Sequence, residues 1–65
     1  MEPHQQRVVD EQNQLDEKIT KLTKFMCGET FLKLSADERA RMTYQRLLMR
    51  EYSSILGDRI EAFKQ

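Results

Sequence analysis

Cysteine occurs once, at Cys27, proline once, at Pro3, and glycine twice, at Gly28 and Gly57; tryptophan does not occur. A lone cysteine excludes an internal disulfide. His4 is the only histidine, so no Cys or His spacing suited to zinc exists, and neither metal nor cofactor is expected. No apolar run approaches the ~20 residues of a membrane-spanning helix, which predicts no membrane association. The opening residues 1–6 are polar, which predicts no signal peptide. A free thiol without a secretion signal predicts a reducing cytoplasm. An excess of one charge is missing too. Eleven Lys and Arg stand against eleven Asp and Glu, which argues against nucleic-acid binding, because that affinity scales with the phosphates neutralised.

What is present points to helices. Charged residues make up 34% of the chain and hydrophobic ones 38%, a balance that predicts order rather than disorder. With so few breakers, the helices should be long. Pro3 suits a first helical turn, where its missing N–H costs nothing. Val8, Leu15, Ile19, Leu22 and Met26 then recur at steps of seven, four, three and four, a helical stripe in heptad register. The first helix is predicted over residues 4–26, with Gly28 as a left-handed C-cap. Residues 27–35 form the connection, in which Phe31, Leu32 and Leu34 should fold over the end of the molecule as an apolar plug. Ser35-Ala36-Asp37-Glu38 reads as a capping box, in which the Ser35 hydroxyl accepts an N–H and Glu38 reaches back. The second helix is predicted over residues 36–63. Its apolar stripe comprises Met42, Leu48, Met49, Tyr52, Ile55, Leu56, Ile60 and Phe63, with Gly57 marking either a close helix approach or a kink.

Together these features predict an all-α fold: one antiparallel two-helix hairpin with a short apolar connection, paired into a four-helix bundle. Alignment about the connection sets Leu22 near Met42, Leu15 near Met49, and Gln12 near Tyr52. A 65-residue chain without disulfide or metal has little core of its own, so oligomerisation is the expected means of stabilisation. The second helix is apolar over a wider arc than the first can cover. An uncovered stripe marks an interface, and Leu48, Tyr52, Ile55, Leu56 and Phe63 are the expected oligomer contacts, with a homodimer favoured.

No catalytic constellation emerges. His4 lies near a frayed terminus without an acid or nucleophile beside it. Cys27 reads as a small, half-buried apolar residue at a helix C-terminus. The pairs Asp10-Glu11, Asp16-Glu17 and Asp37-Glu38 are sequence neighbours whose side chains diverge on a helix, so they are not carboxylate dyads. There is no glycine-rich phosphate loop. An enzyme is therefore not expected. Arg39, Arg46 and Arg50 share one helix face in a stretch with no acid. Arginine grips phosphate and carboxylate bidentately, so this stripe is the candidate surface for a partner or an anion. The plainer reading is a solvated flank paired with acids of the first helix or of a second copy. Gln12, Gln45 and Arg59 are polar residues on apolar seams, where they can set register, and Gln12 is expected to pair with the Tyr52 hydroxyl.

The pattern Arg7-Val8-Val9, Leu15-Asp16-Glu17-Lys18-Ile19, Leu22, Phe25, Phe31, Leu34, Gln45 and above all Met49-Arg50-Glu51-Tyr52-Ser53-Ser54-Ile55-Leu56-Gly57-Asp58-Arg59-Ile60 resembles a family of short helical accessory proteins of tailed bacteriophages and prophages. They are related to a small protein of a crAss-like phage and similar to small early-region proteins of lambda-like phages. The resemblance implies a phage origin, the bacterial host cytoplasm, and an accessory role with a host protein as partner. Phage sponge proteins, which sequester cyclic-nucleotide defence signals, are also oligomers of small helical hairpins. That likeness is architectural only, since their motifs are not seen. The leading expectation is a non-enzymatic, homo-oligomeric protein-interaction module that modulates a host process. The alternative is an oligomeric sponge for an anionic nucleotide signal of host defence.

Overall fold

In a computed structural model, which describes residues 1–64, the chain is a rod of 46 × 14 × 14 Å. Three helices follow in order: α1, Pro3–Met26; α2, Glu29–Leu32; and α3, Ala36–Ala62. The long pair α1 and α3 lies side by side. Contacts run in opposite order along the two helices, from His4 on Phe63, through Gln12 on Ser53, to Thr23 on Arg46.

Local chemistry accounts for the helix ends. Pro3 occupies the first turn of α1, and the Glu2 N–H donates to Gln5 Oε1 at 3.0 Å. At the far end Gly28 is not a left-handed cap. Its φ is −95° with ψ 170°, an extended conformation that starts α2. The last carbonyls of α1 are met without a left-handed residue, since the Gly28 N–H donates to the Phe25 carbonyl at 3.0 Å. The connection therefore carries one helical turn. Phe31 meets Phe25 edge to face, with ring centres 6.4 Å apart, and both Phe31 and Leu34 are half-buried. Leu32 stays 67% exposed. Cys27, expected to be half-buried, is exposed.

The start of α3 uses half of a capping box. Ser35 Oγ accepts from the Glu38 N–H at 3.1 Å. Glu38 does not reach back; its carboxylate accepts from Arg41 Nε at 2.9 Å instead. Ser35→Ala should accordingly lower stability by about 1 kcal/mol, the usual cost of losing an N-cap acceptor. Urea denaturation followed by circular dichroism measures it. An unchanged midpoint would mean that the cap carries no weight in holding α3.

Val8, Leu15 and Leu56 form the buried core, and Ile19, Met49, Ile60 and Phe63 pack against it. Beside it runs a line of polar contacts between the helices. Gln12 Nε2 donates to the Ser53 carbonyl at 3.0 Å, and the Ser53 hydroxyl donates to Asp16 Oδ1 at 2.6 Å. Arg46 Nε donates to Thr23 Oγ1 at 2.6 Å. Gly57 admits this line: a Cβ there would sit 3.1 Å from Gln12 Nε2. Of the two roles that the sequence left open for Gly57, close approach is the one observed. Gln12 does not pair with Tyr52 as expected: its amide donates to the Ser53 carbonyl instead, and Tyr52 is 44% exposed.

Candidate interaction surface

The apolar residues of α1 gather on one face, whereas those of α3 fall on two. The inner face carries Leu56, wholly buried, together with Met49 and Ile60. The outer face carries Tyr44, Leu48, Tyr52 and Ile55, with Leu47 on its flank. On a helix of 3.6 residues per turn these two sets lie about a quarter-turn or more apart, and α1 is one helix wide. The two stripes cannot both be covered within one chain. Ile55 remains 57% exposed while its neighbour Leu56 is at 0%.

Among the expected interface residues, Leu48, Tyr52 and Ile55 share this outer face. Leu56 does not: it is the most deeply buried side chain of the chain's own core, so its assignment to an oligomer contact is corrected. Phe63 is half-buried at the end of the rod, packed against the core and against His4 at 6.5 Å between rings. Tyr44 and Leu47 belong to the exposed set and were missed. They fall outside the stripe traced from Met42 and Met49, and the signal for Tyr44 was its step of four from Leu48. Shallow grooves run along the outer face. Arg41, Tyr44, Gln45, Leu48, Met49 and Tyr52 line one, and Tyr44, Arg46, Leu47 and Arg50 help to line another on its flank.

The arginines of the candidate anion surface lie along the edge of α3 that borders α1, and each is engaged differently. Arg46 is held by Thr23. Arg39 is half-buried, and its Nε is buried without a hydrogen-bond partner among the described residues. Arg50 lines a cleft with Gln12, Asp16, Ile19, Ser53 and Ser54, where the Asp16 carboxylate stands in the same space. A carboxylate in the cleft weakens the field that an anion would meet. Gln45 and Arg59 are exposed. Among the described residues no group of three His, Cys, Asp or Glu side chains is placed to hold a metal. Nor is any helix among them long and apolar enough to cross a membrane.

A protein-family model described as Sequestin matches residues 2–62. An uncharacterized 7.5 kDa protein of the denB-rIIB intergenic region of Enterobacteria phage T4 is 39% identical over 61 residues. That alignment covers 94% of this chain and 95% of the relative. No solved structure matches. The expected kinship with small phage proteins is met in these two matches.

Proposed function

This chain belongs to the sequestin family, and from that premise we propose that it is a non-enzymatic bacteriophage accessory protein of the host cytoplasm. It acts as a homo-oligomeric interaction module, a dimer of helical hairpins joined in a four-helix bundle, and modulates a host process by holding a host protein. One observation carries the reading: Tyr44, Leu47, Leu48, Tyr52 and Ile55 stand exposed along a single helix, and an apolar stripe of that length marks an interface. The small core argues the same way, since a short chain without disulfide or metal gains its missing burial by association.

Light scattering at micromolar concentration tests the oligomer. The expected mass is a multiple of the 7.8 kDa chain, with a melting temperature that rises with concentration. A monodisperse 7.8 kDa species whose melting temperature ignores concentration would overturn the proposal.

The sponge reading is kept for one observation, the buried and unpartnered Nε of Arg39, and it accords with the family's name. A nucleotide panel distinguishes the two readings, because a ligand held by the folded state raises the melting temperature.

A further inference from the structure

Seven residues succeed one another along the outer face of α3: Asp37, Arg41, Tyr44, Leu48, Tyr52, Ile55 and Arg59. All seven are exposed. Their steps are four, three, four, four, three and four, which read the same in both directions from Leu48. These are coiled-coil seam steps with one stutter at Leu48, where two fours adjoin, and their order is unchanged on reversal. When a second α3 is laid antiparallel across the first, with a two-fold axis through Leu48, every seam position meets a seam position. Leu48 faces Leu48, and Tyr44 faces Tyr52. Arg41 lies over Ile55, where its aliphatic stem covers the apolar side chain. At both ends Asp37 of one copy meets Arg59 of the other. A parallel pairing would instead stack Asp37 on Asp37, Arg41 on Arg41 and Arg59 on Arg59, setting like charges together three times over.

The surface area agrees with one such partner. A compact monomer of 7.8 kDa is expected to expose about 4,400 Å², whereas this rod exposes 5209 Å². The excess, about 800 Å², is the extra surface of an elongated chain, and it is of the size that each partner buries in a standard stable interface. We infer that the outer face of α3 docks antiparallel on the same face of a second copy, about a two-fold axis at Leu48, with reciprocal Asp37–Arg59 ion pairs setting direction and register. The inference rests on the homo-oligomeric reading above and goes beyond it, because it fixes which face pairs and which way the helices run.

Cysteine cross-linking in a Cys27→Ser background tests it. Leu48→Cys should form a covalent dimer in high yield on mild oxidation. Tyr44→Cys alone should not, because the two positions are eight residues, about 12 Å, apart in the antiparallel pair, and a disulfide needs Cα atoms within about 7 Å. Tyr44→Cys mixed with Tyr52→Cys should cross-link. Independently, Arg59→Asp and Asp37→Arg should each weaken dimerisation about tenfold, and mixing the two variants should restore it, since the mixed pair has opposite charges at both ends.

Cross-linking of Tyr44→Cys with itself would overturn the antiparallel register. An oligomer that never cross-links at Leu48 and ignores both charge reversals would place the interface elsewhere, overturning this inference while the oligomeric reading stands. A wild-type monomer at the same concentration, with the α3 face taken instead by a heterologous helix or by nothing, would overturn both.

Discussion

Leu56→Ala should remove a large share of the chain's stability. The Leu56 side chain is wholly buried and, among the described residues, is the one fully buried side chain that α3 brings to a core whose other buried members, Val8 and Leu15, come from α1. Truncating a buried leucine costs about 2–5 kcal/mol, because transfer free energy is lost and a cavity remains. A native chain of this length has only about 3–10 kcal/mol of stability in all. In a rod 14 Å across, no second layer of side chains exists to collapse into the gap, so the upper half of that range applies. Circular dichroism at 222 nm during thermal and urea denaturation measures the loss. A change under about 1 kcal/mol would mean that Leu56 is not the hub between the long helices.

Leu48→Asp should have an equally large effect of a different kind. Leu48 stands on the outer face of α3, about half exposed. Within one chain an aspartate there meets water. In an assembly sealed by the outer face of α3 about a two-fold axis at Leu48, it would be buried against the same carboxylate of the second copy, a penalty of at least ~3 kcal/mol, and more than a hundredfold in dissociation constant. The mass from light scattering should fall to 7.8 kDa, and the dependence of the melting temperature on concentration should disappear. At the same concentration Leu56→Ala loses helicity together with mass, whereas Leu48→Asp loses mass first. A Leu48→Asp variant with wild-type mass would show that this face is not the joint.

The helices themselves are set by bonds that stay within a few residues, and for that reason they were legible in the chain of letters. The predicted spans of 4–26 and 36–63 differ by one residue at an end from Pro3–Met26 and Ala36–Ala62. Pro3 at a first turn and Ser35 three residues before Glu38 each satisfy orphan backbone groups locally, whatever the rest of the molecule does. The stripe of Val8, Leu15 and Ile19 was equally legible, since α1 has only one apolar face to offer. The arginine stripe lay in the sequence as a shared face, but not its surroundings: that Arg46 meets Thr23 and that Arg50 shares a cleft with Asp16 depends on a second helix.

Rotation of α3 about its own axis was beyond local reasoning. Its apolar residues make two stripes, and helical periodicity treats Ile55 and Leu56 as near-equivalent candidates for either. The choice is made where α1 and α3 touch. Gln12 must reach the Ser53 carbonyl, Thr23 must meet Arg46, and Gly57 must leave room for the Gln12 amide. Each of these contacts joins residues far apart in sequence, and all are made together in the rotation observed. That rotation turns Leu56 inward and sends Tyr52 and Ile55 out. The same distance in sequence explains Gly28. A glycine after a helix suggests a left-handed cap, yet here the chain had to turn at once into α2 so that Phe31 could close on Phe25, and an extended φ serves that turn. Helix existence and length thus follow from hydrogen bonds spanning four residues, while the identity of the buried and exposed faces follows from which side chains fit between two helices, a question that exists only once both are present.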